Sequence, residues 1–118
     1  MPLSKLAARV YEILRDRVLT ERRPTMTYSE LTKELASHML PRNPALVDAL
    51  TDVAKACRAR DLPVITVVVV HAGDGLPGPG YFDPAHPRGL LARNERSQFN
   101  LDLVAVTQAK HQYPPTLG

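Results

Sequence analysis

Cysteine is nearly absent: the 118-residue chain holds one, Cys57. A single thiol excludes an intramolecular disulfide and any zinc site built from several cysteines. Long apolar runs are lacking too. The longest, Val64 to Val70 (VITVVVV), is far short of the roughly 20 residues that span a bilayer. The opening stretch, MPLSKLAARVYEILRDRVLTERR, is charged throughout and lacks the apolar core of a secretory signal. Together these absences lead us to expect a reduced, cytoplasmic protein with no membrane contact. The histidines His38, His71, His86 and His111 form no HxH or HxxxH pair, so no metal site is expected. Gly73, Gly75 and Gly78 spell GxGxxG, but they lead into Pro-Gly-Pro and not into a helix. That context fails the dinucleotide-binding requirement, and no cofactor is expected. His71 with Asp74 and Asp83 could be drawn as an acid–base site, but no nucleophile accompanies them, so the chain reads as a non-enzyme.

What is present fits one domain. The chain is 44% hydrophobic and 23% charged, ordinary values for a globular protein. We expect a single domain over residues 1–111 and a loose tail over 112–118. Net charge is +3, unevenly spread. Residues 1–25 hold six basic and three acidic groups, residues 26–62 five of each, and residues 63–87 only Asp74 and Asp83. Residues 88–118 hold four basic and two acidic groups, so positive charge gathers at the two ends.

Periodicity places the helices. Leu6, Val10, Ile13, Leu14 and Val18 make one apolar stripe, with Ser4 as N-cap and Pro24 as the stop. Thr27-Tyr28-Ser29-Glu30 reads as a capping box opening a short helix with Leu31 and Leu35 inward. Asn43-Pro44 starts a longer helix, whose Leu46, Leu50, Val53 and Cys57 form a buried face. Cys57 is thereby expected to be buried and inert. Arg58 and Arg60 suit its last turn. Val64 to Val70, β-branched almost throughout, reads as a strand, and the Gly/Pro-rich stretch to Tyr81 as the irregular return arm of a hairpin. Residues 88–111 read as a last helix, opened by Leu91, Glu95 and Phe99 and continued at helical spacing by Leu101, Val104, Ala105 and Gln108, with a strand over Leu101 to Val106 as the alternative. This helix is expected to pack on the first.

The order helix, short capped helix, longer helix, hairpin, helix is that of a winged helix-turn-helix with an added C-terminal helix, an α+β fold that is mainly α. Its core is expected around Leu14, Val18, Leu31, Leu35, Leu50 and Val53, closed by Val67 and Val69.

Thr27-Tyr28-Ser29-Glu30-Leu31, the Asn-Pro-started helix, and Leu62-Pro63 before a β-rich run ending in Gly73-Asp74-Gly75 and Gly78-Pro79-Gly80-Tyr81 carry a resemblance. Over residues 24–82 the chain resembles the winged-helix domain of alkylguanine-DNA alkyltransferases and alkyltransferase-like proteins. The resemblance implies a DNA-binding scaffold. It also marks a departure: Pro63-Val64-Ile65-Thr66-Val67 stands where that family has its Pro-Cys-His-Arg motif. Alkyl transfer needs a thiolate activated by a histidine, and neither is there. The family's arginine finger would fall near Ala45 or Leu46, with Arg42 just upstream.

Two functions stay open, and the scaffold's usual trade together with the sequence pI near 9.3 favours the first. In the first, the chain binds nucleic acid, duplex DNA foremost, as a small regulator or recognition accessory. Arg42, Asn43, Thr51, Lys55 and Arg58 would make the contacts, with Arg22 and Arg23 adding non-specific affinity. Against this, Asp48 and Asp52 precede the first base on the outward face of the third helix and would repel phosphate. In the second, the scaffold binds a protein partner as an inhibitor, adaptor or dimerising subunit, a homodimer included. The acidic helix face would then be an asset.

Overall fold

The computed structural model describes residues 3–35, 44–73, 75 and 95–117. The described residues are mainly helical, with one small two-stranded sheet. Helix α1 (Lys5–Thr20) begins where Ser4 accepts the Ala7 amide at 3.1 Å, satisfying an amide that the helix itself leaves unpaired. It buries Ala7, Val10, Tyr11, Ile13, Leu14 and Val18. After a bend, β1 (Met26–Thr27) runs directly into α2 (Tyr28–Glu34). Both halves of the capping box are formed. Thr27 Oγ1 accepts the Glu30 amide at 3.1 Å, and Glu30 Oε1 accepts the Thr27 amide at 3.0 Å.

Helix α3 (Pro44–Ala59) buries Leu46, Ala49, Leu50, Val53, Ala54 and Cys57 against α1. It ends in a left-handed turn. The Leu62 amide donates to the Cys57 carbonyl at 2.9 Å and the Asp61 amide to the Arg58 carbonyl at 3.1 Å. Asp61 takes φ 55°, the position glycine usually fills in this motif. Pro63 then prevents the helix from resuming.

The valine run departs from the strand reading. Ile65–Val68 is a 3-10 helix, and only Val69–Val70 is a strand, β2. β2 pairs in parallel with β1, Met26 opposite Val69 and Thr27 opposite Val70. The reason is burial. Every residue from Val64 to Val70 is buried, so the run has no solvent face and carries no alternation. Composition alone does not separate a fully buried strand from a buried helical turn. The return arm assigned to residues 76–81 lies outside the described residues.

Helix α4 (Glu95–Gln108) is helical, as read, but its main packing partner is the Ile65–Val68 turn rather than α1. Its register also departs. The helix buries Phe99, Asp102 and Val106 and turns Leu101 and Val104 outward. The last segment is no loose tail. A short 3-10 turn (Lys110–Gln112) lies against α1, and Tyr113 and Leu117 are buried. The Tyr113 hydroxyl donates to the Pro63 carbonyl at 2.5 Å, and the Tyr11 hydroxyl donates to the Pro114 carbonyl at 2.5 Å. Arg15 Nε donates to the Tyr113 carbonyl at 3.0 Å. An aromatic anchor and three hydrogen bonds outweigh the freedom a polar terminus would otherwise keep.

The core gathers Leu14, Val18, Leu31, Leu50, Val53, Val67 and Val69, with Leu35 partly buried at its edge. No described helix is long and apolar enough to cross a membrane.

Two substitutions test this packing by urea unfolding. Tyr113→Phe leaves the Pro63 carbonyl without its donor and is expected to cost about 1–3 kcal/mol. Asp61→Gly relieves the left-handed backbone and removes a carboxylate from a helix C-terminus. It is expected to stabilise by about 0.5–1 kcal/mol.

Candidate interaction surface

Lys5 and Arg9 of α1 are exposed, whereas Arg15 and Arg17 are partly buried and tied to other segments. Arg9 pairs with Glu12 at 3.2 Å. Arg15 holds the C-terminal segment through the Tyr113 carbonyl. Arg17 Nη2 donates to the Thr25 carbonyl at 3.4 Å and lies 3.7 Å from Glu30 Oε2. That contact fastens the end of α1 to the start of α2. The Arg17 Nε is buried with no partner among the described residues. These arginines line a cleft of about 460 Å³ together with Glu12, Asp16, Glu21 and Glu34. Four carboxylates against three guanidiniums make it a mixed-charge surface and not a phosphate cradle.

Past α1, Arg22 and Arg23 are exposed at the bend before β1. On α3, Thr51 and Lys55 are exposed and Arg58 is half-buried, aligned along one helical row as their spacing requires. Thr51 Oγ1 donates to the Val47 carbonyl at 3.0 Å, which ties the hydroxyl to its own helix. Asp48 and Asp52 are exposed on the same side, and Val47 beside them is 48% exposed. The structure therefore brings Thr51, Lys55 and Arg58 together, but within a row led by two acids. Arg42 and Asn43 lie outside the described residues. So do His38, His86, Asp74 and Asp83.

His71 is exposed, and its ring lies 4.9 Å from that of Tyr28, tilted by 31°. The pair joins the start of α2 to the end of β2. Among the described residues no three His, Cys, Asp or Glu side chains converge as metal ligands would.

Cys57 is fully buried, as its place in the helical stripe requires. Burial pushes its thiol up, and the nearby Ile65 amide and Arg58 only partly offset this. Tyr11, equally buried, is pushed up to about 12, first by burial and then by the neighbouring Cys57. Glu30 is held low, chiefly by the Thr27 amide it accepts. These shifts belong to structural groups. A thiol raised by burial is a poor nucleophile.

Missing from the sequence reading is the outer face of α4. Leu101 is 66% and Val104 53% exposed, whereas their helical spacing with Gln108 suggested an inward stripe. A second stripe, Phe99, Asp102, Val106 and Ala109, has equal claim by spacing, and it is the one buried. The presence of two competing stripes was the available signal. Comparison of the chain with protein-family models, with curated proteins and with solved structures finds no match.

The shifted phenol sets an alkaline limit on stability. Tyr11 ordinarily titrates at 10.0 but holds its proton to about 12 when folded. Between those values the unfolded chain binds fewer protons, so stability falls as pH rises from 10.0 toward 12. Urea midpoints across this range are expected to fall, and Tyr11→Phe is expected to flatten the slope. Midpoints that stay level in the unaltered chain would contradict the burial of this hydroxyl.

Proposed function

We propose that the chain is a non-catalytic binding domain whose partner is a protein, built on a winged-helix scaffold. In this reading α2 and α3 form the bihelical unit, and Val69–Val70 form the base of the wing. The resemblance to the alkyltransferase scaffold over residues 24–82 is in keeping with it. The observation that carries the partner assignment is the exposed row of α3. Val47 supplies an apolar centre, and Asp48, Thr51, Asp52 and Lys55 supply a mixed-charge polar surround. An apolar centre with a polar rim is the common anatomy of a protein interface. Phosphate would meet Asp48 and Asp52 first. Nothing in the chemistry of Cys57 supports catalysis, since its thiol is buried and raised.

Nucleic-acid binding is the second reading. It is favoured by the sequence pI near 9.3 and by exposed Arg22, Arg23 and Lys55. Counterion release separates the two. For the protein-partner reading, labelled duplex and single-stranded DNA are expected to show no detectable binding at about 50 mM salt. A photoreactive residue at Val47 is expected to crosslink a discrete protein in cells, and reversal of Asp48 and Asp52 to lysine is expected to remove that product. DNA binding whose log affinity falls steeply with log salt would overturn the assignment in favour of nucleic acid.

A further inference from the structure

The described outward side of α4 carries no charge. Ser97, Asn100, Leu101, Val104, Thr107 and Gln108 are exposed, while Asp102, the only charged residue between Ser97 and Gln108, is buried. Most surface helices do the reverse. Ser97, Leu101, Val104 and Gln108 recur at four, three and four, the spacing of a heptad seam. Along that seam the order is polar, apolar, apolar, polar, and it reads the same from either end.

We propose that this seam pairs antiparallel with α4 of a second copy of the chain, about a two-fold axis between Leu101 and Val104. In that register Leu101 of each copy meets Val104 of the other. Ser97 meets Gln108, and both side chains donate and accept, so the pairing is satisfied in either sense. Asn100 meets Ala105, a small residue that leaves room for close approach. A seam that is its own complement is what an isologous two-fold contact requires.

Charge is compatible with the same occupant. Each copy carries a net +3. Two such copies meet with least repulsion where the contact itself displays no charge, and the exposed residues described between Ser97 and Gln108 form such a face. Interface centres are generally depleted of charged residues for this reason. Size sets the strength. α4 has 14 residues, about 21 Å of helix, and a pair of such helices buries less than a standard interface of about 1,600 Å². The contact therefore falls in the class of weak, transient interfaces. The proposal does not depend on what α3 binds.

Sedimentation equilibrium from about 10 μM to about 1 mM tests it. The unaltered chain is expected to self-associate in this range. Leu101→Lys and Val104→Glu, both at exposed positions, are each expected to keep the helical circular dichroism and to weaken association at least about tenfold. An equimolar mixture of the two variants is expected to recover association, because Lys then faces Glu across the axis while Val104 faces Leu101. A chain that stays monomeric throughout, a Leu101→Lys variant that associates like the parent, or a mixture that stays monomeric would each overturn the proposal.

Discussion

One demand organises this molecule: the run from Val64 to Val70 is buried along its whole length, so its amides and carbonyls must be paired away from water. The chain meets it in two ways. The first half turns into a 3-10 helix, where the Val67 amide donates to the Val64 carbonyl at 3.2 Å and the Val69 amide to the Thr66 carbonyl. The second half pairs with β1. Helices α1, α3 and α4 all lie against the resulting turn. Each apolar side chain placed there contributes about 1.5–3 kcal/mol relative to exposure. The run is thus the surface on which the helices meet, and their positions follow from it.

This explains which parts of the structure were legible beforehand. Local chemistry was fully readable. Ser4, the Thr27–Glu30 box and Pro44 each act through neighbours within four residues, and all do what their spacing indicates. The α1 and α3 stripes were readable because one face of each meets the core and the other meets water. The valine run was not, because it has no water-facing side and so no period. The C-terminal segment was not, because its order comes from partners about 50 to 103 positions away in sequence, Pro63 and Tyr11. A short polar stretch gives no local sign that a distant carbonyl awaits its tyrosine. For α4 two stripes competed, and only the Ile65–Val68 turn decides between them. Of the site residues, Thr51, Lys55 and Arg58 fall on one row as their spacing implied, but the standing of that row depended on Asp48 and Asp52 beside them.

Net charge was a poor guide for a related reason. The excess of arginine near the N-terminus suggests a phosphate-binding pole, yet most of the α1 guanidiniums serve the fold. Arg15 reaches the Tyr113 carbonyl, Arg17 spans Thr25 and Glu30, and Arg9 answers Glu12. A guanidinium has several donors in a fixed fork, which suits it to gathering backbone carbonyls from separate segments. In a domain this small, much of the surface near a helix end is also the joint between elements. Counting cations therefore overstates the field available to a polyanion.

Because α3 and α4 both rest on the Ile65–Val68 turn, the mixed-charge row and the uncharged seam are carried by different helices on one shared support. Each presents outward what the other lacks. Neither row includes a residue that the core needs: Val47, Asp48, Thr51, Asp52, Leu101 and Val104 are all exposed, and the packing against the turn is made by other faces of the same helices. Substitutions at exposed positions away from caps and buried networks usually change stability by no more than about 0.5 kcal/mol. Each surface is therefore open to substitution without loss of the core beneath it. A buried run that fixes the helices from within is what frees their outer faces to differ.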